Sequence, residues 1–139
     1  MWYYKNKPYE PTLEELESLV GFVYLITEKS TGKKYIGKKL FWSARTKPPK
    51  KGQKRKTRYR VESNWRDYYS SNKEIQEMVA TEGGKIYDRQ ILRICSSKGE
   101  CSYYEAKLQF DYDVLLREDF YNGIINCRVN AAHIKHLHI

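Results

Sequence analysis

Tyr24 and Tyr35 stand on two apolar runs, Gly21 to Ile26 and Lys34 to Gly37, separated by the turn-forming stretch Ser30-Thr31-Gly32-Lys33. That pattern predicts a β-hairpin. With Lys29 to Gly32 as the turn, Tyr24 faces Gly37 across the ladder and Tyr35 is its diagonal neighbour on the same face, about 7–8 Å away between Cα atoms. Two phenols so placed can share one small site, and Gly37 between them leaves space beside the backbone that could admit a phosphate. Taken alone, the same pair is better explained as aromatic cross-strand packing.

The charge pattern says what such a site would meet. The chain carries 26 Lys and Arg against 17 Asp and Glu, a net charge of +9. Nine basic residues and no acidic one fall between positions 45 and 60: Arg45, Lys47, Lys50, Lys51, Lys54, Arg55, Lys56, Arg58 and Arg60. The remaining 17 basic residues balance the 17 acidic ones, so the entire excess sits in this segment. A solvated charged face is the bland explanation. Because the run holds the whole net charge, contact with the phosphates of a nucleic acid is the stronger one, with Tyr59 and Trp65 nearby to stack or insert.

At 139 residues the chain suits one domain around one core, to which 13 Tyr and 3 Trp supply much of the bulk. No run approaches the 18 or so apolar residues of a membrane span, and the start, Met1-Trp2-Tyr3-Tyr4-Lys5, lacks the apolar run of a signal peptide; a soluble, intracellular protein without a membrane partner is expected. Cys95, Cys101 and Cys127 are odd in number and lack C-x-x-C spacing, which points to buried free thiols rather than a disulfide or zinc framework. His133, His136 and His138 lie in a tail without accompanying cysteines or carboxylates, and are expected to be exposed or packed rather than metal-bound.

The elements that must position the tyrosines follow from caps and periodicity. Thr12-Leu13-Glu14-Glu15 reads as a capping box opening a short helix to about Val20, closed by Gly21. The stretch from Thr46 to Arg60, with Pro48-Pro49 and Gly52, has no apolar periodicity and reads as a mobile basic loop. Ser71-Asn72-Lys73-Glu74 opens a helix with Ile75, Met78 and Val79 on one side, ending at Gly83-Gly84. Ile86 to Cys95 is a third strand. Ser102-Tyr103-Tyr104-Glu105 reads as another capping box, opening a long helix to about Arg117 with Tyr104, Leu108, Tyr112 and Leu115 recurring at helical spacing. A short strand or turn is expected from Tyr121 to Val129. The organisation is therefore a single small α+β domain: an N-terminal arm and short helix over 1–20, a core over 21–129 containing the basic loop 46–60, and a tail over 130–139.

In this order the chain resembles the GIY-YIG nucleases. Tyr35-Ile36-Gly37 matches the second motif and Tyr24 is the tyrosine of the first. Arg45 stands where the family places its catalytic arginine, Glu105 where its metal-binding glutamate belongs, and Tyr121-Asn122 where a Tyr-Asn pair closes the motif set. The stretch Ser63 to Ser71 is similar to the free-standing phage homing endonucleases, the Seg-like subgroup, with Tyr69 at a position where some relatives carry histidine. Two departures are visible: the glycine of the first motif is displaced to Gly21, and Pro49 replaces a tyrosine or histidine found one turn after the arginine. The resemblance implies a central antiparallel sheet of about three strands flanked by helices, and a phage protein acting in the cytoplasm of an infected bacterial cell.

It also implies roles. Glu105 would hold one Mg²⁺, with Mn²⁺ as a substitute, and Arg45 would fork two hydrogen bonds onto phosphate oxygens. Tyr24 would take the proton of the attacking water. A phenol titrating near pH 10 needs positive charge for that, from Lys38 or the metal. Tyr35 would orient the water or contact the phosphate, and Asn122 completes the implied catalytic set. Each has a plainer explanation: Glu105 as a helix-capping residue, Arg45 as the first charge of the basic run, Asn122 as a turn residue and Lys38 as a solvated strand end. The expected function is hydrolysis of phosphodiesters in double-stranded DNA, by a monomer or a homo-oligomer. The competing function is a nucleic-acid-binding module that grips without cutting.

Overall fold

A computed structural model describes residues 1–137; His138, the last of the three tail histidines, lies outside the described residues. Five strands form one sheet in the order β2 (Lys7–Pro8), β1 (Tyr3–Tyr4), β7 (Tyr87–Cys95), β3 (Gly21–Glu28) and β4 (Lys34–Leu40). Its centre is β3 (Gly21–Glu28), hydrogen-bonded antiparallel to β4 (Lys34–Leu40) on one side and to β7 (Tyr87–Cys95) on the other. This is the expected three-stranded antiparallel core, and the hairpin register is as predicted, with Tyr24 opposite Gly37.

The N-terminal arm is not an appendage. Its strands β1 (Tyr3–Tyr4) and β2 (Lys7–Pro8) extend the sheet, β1 running parallel to β7. Trp2 is 2 % exposed, packs on Phe22 at 4.9 Å between ring centroids, and donates its indole N–H to the Trp65 carbonyl at 2.7 Å. Trp65 is itself 1 % exposed, so it belongs to the core and cannot reach DNA as the sequence suggested. A tripeptide of aromatics at a chain start carries no periodicity, which is why its burial was illegible.

The two faces of the sheet have separate cores. One buries Trp2, Leu16, Phe22, Tyr24, Ile26, Phe41, Trp65 and Ile75 under α1 (Leu13–Leu16) and α2 (Lys73–Glu82). The other buries Val23, Leu25, Ile36, Cys95, Cys101, Val114 and Phe120 under α3 (Lys98–Asp111). Cys127 is exposed, contrary to the expectation that all three thiols are buried.

Several boundaries differ from expectation for local reasons. Thr12 caps α1 by accepting from the Glu15 N–H, but the helix is a single turn. Asn72, not Ser71, caps α2, accepting from the Ile75 N–H at 3.1 Å. The start of α3 lies five residues before the expected one: Ser97 accepts from the Glu100 N–H at 3.0 Å, so Ser97-Lys98-Gly99-Glu100 is the sequence that opens the helix and Ser102 lies inside it. Its other end is at Asp111, short of Arg117, and Leu115 and Leu116 are exposed. From Tyr121 to Val129 there is no regular strand; the nearest pairing is an isolated bridge between Lys34 and Phe120.

The largest correction concerns the basic segment. It is not a loop but a second hairpin, β5 (Trp42–Lys47) paired with β6 (Thr57–Glu62), so only the turn between them is irregular. Alternation along charged strands hid it, because with neither face buried there is no apolar period to read. Facing residues are directly opposed: Arg45 with Tyr59, and Thr46 with Arg58.

Candidate active site

Strand β4 is an edge of the sheet, so every second residue turns an unpaired N–H and C=O outward, and a buried edge must satisfy them. At Lys34 the backbone of Asp119 and Tyr121 does so. At Ile36 a side chain does the work of a strand: Asn122 Oδ1 accepts the Ile36 N–H at 3.0 Å while its Nδ2 donates to the Ile36 carbonyl at 2.8 Å, joined there by Gln109 Nε2 at 2.9 Å. Asn122 is buried, and both functional atoms of its amide are engaged by the backbone. It braces the Tyr35-Ile36-Gly37 segment and is not a mere turn residue. At Lys38, next outward along the edge, the Glu105 carboxyl is near enough for the Lys38 charge and backbone N–H to lower its pKa against burial.

Glu105 thus approaches the edge from the α3 side, two turns into the helix. The helix-capping explanation for it fails, because α3 opens at Ser97. Lys38, also on this side, donates from Nζ to Ser102 Oγ at 2.7 Å. Burial pushes the Glu105 carboxyl above the ordinary carboxylate range, and the charge and backbone N–H of Lys38 offset this only in part.

Tyr24 comes to the same edge from the opposite face. A Cβ added to Gly37 would lie 2.5 Å from the Tyr24 hydroxyl and 2.9 Å from Tyr35 Cε1, so the missing side chain of Gly37 is the space the phenols occupy. The opening expected there for a phosphate is therefore filled by Tyr24 itself, and a phosphate must sit outside it. A bulge in β7, where Arg93 pairs with Val23 but Ile91 with Tyr24, leaves Leu92 unmatched at this row. Such a bulge bends the strand and redirects side chains locally.

Around Tyr24 gather Tyr35, with ring centroids 6.3 Å apart, and Tyr68, at 6.1 Å. The Tyr35 hydroxyl and Ser71 Oγ are 3.3 Å apart, and the Lys39 ammonium lies 4.3 Å above the Tyr68 ring. Ser71 is free for this contact because its neighbour caps the helix. Burial, then the nearby Tyr68, Tyr35 and Glu105, hold the Tyr24 phenol well above its usual pKa, and burial raises Tyr68 as well. At neutral pH both are protonated donors.

The expected Tyr69 does not join this group. Its hydroxyl end touches Gly84, and its ring stacks on the Arg89 guanidinium at 4.2 Å. Tyr68, one residue earlier, takes the place on the site; the pair Tyr68-Tyr69 is ambiguous by one register, and only the turn around Ser70, with φ at 141°, decides it. Arg89, 4 % exposed, donates to the carbonyls of Arg66 and Tyr68 and so holds that loop against the sheet.

Arg45 lies exposed on β5, and among the described residues no hydrogen bond or ion pair ties it to the tyrosines. On its face of the hairpin Lys47 Nζ lies 5.0 Å above the Tyr59 ring, which is 40 % exposed. Lys50, Lys51, Lys54, Arg55, Lys56, Arg58 and Arg60 are exposed too. The hairpin is thus a cationic arm, with Glu62 at its base as its one acidic residue.

Among the described residues no three His, Cys, Asp or Glu side chains converge as a metal cluster. Of the tail histidines, the backbone and Cβ of His133 lie over Gly99, and His136 Nε2 is 3.8 Å from Glu100. One half-buried, charge-deficient carboxylate at a solvent edge fits a hard divalent cation that keeps most of its waters, and does not fit a dedicated protein cage. No helix among the described residues is long and apolar enough to cross a membrane.

Compared with known protein families, residues 2–125 match the family model described as "Putative endonuclease segE, GIY-YIG domain". No curated protein and no solved structure matches the chain.

Proposed function

Because the chain belongs to the SegE GIY-YIG endonuclease family, we propose that its 139 residues form a single-domain, divalent-metal-dependent endonuclease. It hydrolyses one phosphodiester of double-stranded DNA at the outer edge of β4. One observation carries this reading: the Tyr24 phenol and the Glu105 carboxylate reach the Gly37-Lys38 edge from opposite faces of the sheet. A packed aromatic pair has no need of a carboxylate, and a helix cap has no need of tyrosines.

Glu105 would hold the Mg²⁺ or Mn²⁺, which supplies charge neutralisation at the phosphate and acidifies water. The chain's own groups do the rest. Tyr24 is protonated at neutral pH, so it first donates a hydrogen bond to the phosphate or the incoming water. It accepts a proton only when positive charge arrives beside it, since every resolved influence on it now raises its pKa. Lys38 keeps its ammonium on the α3 side of the sheet, bonded to Ser102, and so its charge acts on Glu105 rather than on Tyr24. Tyr35 and Tyr68 orient Tyr24, with Tyr68 in the position the sequence assigned to Tyr69. Arg45 reaches a phosphate when the DNA lies along the hairpin, forking onto oxygens whose charge grows in the transition state.

Cutting one strand per site, a monomer nicks; a double-strand break takes two copies or rebinding. The phage setting and homing role suggested by the Seg-like stretch fit this chemistry. The test is supercoiled plasmid with Mg²⁺, comparing wild type with Glu105→Ala and with added EDTA. Conversion to open circles by the wild type alone supports the proposal; tight DNA binding without cleavage across Mg²⁺ and Mn²⁺ would assign the chain to a binding module. Undiminished cleavage by Tyr24→Phe would remove Tyr24 as the proton acceptor.

A further inference from the structure

A cavity of ≈ 380 Å³ opens where the cationic hairpin meets the body, and no part of the proposed cleavage chemistry uses it. Leu40, Trp42 and Ala44 line its floor, with Arg58, Arg60 and Lys98 at its walls. Phosphate contact alone would explain the cations but not an apolar floor. The floor is also rigid: the Trp42 indole N–H donates to the Leu19 carbonyl at 3.0 Å. The Arg60 guanidinium lies 4.0 Å from the Trp42 ring and donates from Nη2 to the Glu17 carbonyl at 2.9 Å. An arginine laid on an indole and tied down at one end presents a fixed, planar, cationic surface. Guanidinium planes and aromatic rings of this kind are what unstacked nucleobases rest on.

The position of the cavity fits the same DNA that meets the site. Leu40 is the last residue of β4 and Lys98 the first of α3, the two elements that carry Lys38 and Glu105. Seven residues of helix separate Lys98 from Glu105, roughly 10 Å at 1.5 Å per residue.

We propose that the cavity between the β5–β6 hairpin and the body receives one nucleobase unstacked from the bound DNA near the cleaved phosphate, resting on the Arg60–Trp42 pair. This rests on the endonuclease reading above. Extruding a base sacrifices its stacking, so sequences that unstack readily are preferred at that step, which gives the nuclease a source of selectivity that phosphate contacts lack.

The test uses the full chain as Glu105→Gln, so that DNA is bound and not cut, with duplexes carrying 2-aminopurine at successive positions around the mapped cleavage point. At saturating protein, fluorescence should rise several-fold at one position and remain near the duplex level at its neighbours. Adding Ala44→Trp, which fills the cavity, or Arg60→Lys, which keeps the charge and removes the plane, should abolish the rise, with folding checked by circular dichroism. Saturable binding with no bright position would overturn this inference and leave the endonuclease reading standing. A bright position that survives both substitutions would overturn it too, by placing the base elsewhere. Failure to bind any duplex would overturn both. Quenching of tryptophan by free nucleoside monophosphate, without a signal from any duplex, would give the cavity to a mononucleotide and sink the proposal.

Discussion

Gly37 sits at a point on β4 where a side chain and the Tyr24 and Tyr35 phenols would compete for the same volume. A methyl group there meets the Tyr24 hydroxyl and the edge of Tyr35 well inside van der Waals contact. Tyr24 is fully buried and cannot swing aside freely, so Gly37→Ala should move both phenols by a few tenths of an ångström or more while leaving the ladder intact. Overpacking of this size costs about 1–3 kcal/mol, and misplacement of reacting groups can cost about 10²-fold in rate. The expected result is a folded protein with cleavage down about a hundredfold in a single-turnover assay; wild-type cleavage would show that the phenols do not act from this position.

Glu105 gives a second prediction at the same scale. Its carboxyl titrates above its ordinary value of 4.5 because burial withholds water from the charged form, with Lys38 offsetting part of this. A carboxyl raised in the folded state favours folding when protonated; that contribution is full below the unfolded value and is lost as pH rises through the folded one. At pH 7 without metal, Glu105→Gln should therefore have a Tm equal to or above that of wild type, and at pH 4 no advantage. Mg²⁺ should raise the wild-type Tm and leave that of the variant unchanged. A variant distinctly less stable than wild type at pH 7 would mean that the carboxylate is a structural partner rather than a group waiting for a cation.

Elements, rather than single side chains, hold the edge of β4 in place. Asn122 plays the part of a missing strand for Ile36, and Asn122→Leu keeps the volume while orphaning the Ile36 N–H. An unsatisfied buried donor costs about 1–3 kcal/mol, so unfolding by urea should shift by that amount and the Ile36 amide should exchange faster, while Gln109 still serves the carbonyl. Unchanged exchange at Ile36 would refute the brace. The N-terminal arm is the other silent support. Trp2→Ala removes a buried indole that packs on Phe22 and Tyr24 and bonds to Trp65, a change expected to cost about 3–5 kcal/mol, read as a fall in the urea midpoint; a loss under 1 kcal/mol would mean the arm is dispensable.

These elements show what a sequence makes visible. The β3–β4 hairpin was legible to the residue because an apolar strand, a glycine turn and a second strand fix one register. The action of Asn122 on Ile36 was not legible, because an 86-residue separation carries no local signal. The start of α3 was misplaced because two Ser-x-x-Glu sequences lie five residues apart, and only the one whose glutamate also bonds to Arg93 and the Ser96 N–H opens the helix. Tyr68 was passed over for Tyr69 because adjacent tyrosines are distinguished only by the turn that follows them.

At the scale of the whole molecule, the net charge of +9 is carried on one arm, while the body that holds Tyr24 and Glu105 is close to neutral. On the proposed reading, such a distribution would draw DNA to the hairpin first and deliver it to the edge of β4 afterwards. Each phosphate neutralised releases counterions and contributes a slope of about −0.9 in log affinity against log salt. If the turn residues Lys50, Lys51, Lys54, Arg55 and Lys56 carry most of that contact, replacing them with serine should flatten the slope by about four to five. The same replacement should leave cleavage of already bound DNA nearly unchanged, because none of the five belongs to the site. Arg45→Ala should do the reverse, lowering single-turnover cleavage steeply and the salt slope by no more than about one. Fluorescence anisotropy across a salt series, paired with single-turnover cleavage at saturating protein, separates the two roles. Should the turn variant keep the wild-type slope, the arm is a solvated surface and the DNA approaches by another face; should Arg45→Ala alter binding and cleavage in equal measure, Arg45 is one more docking charge.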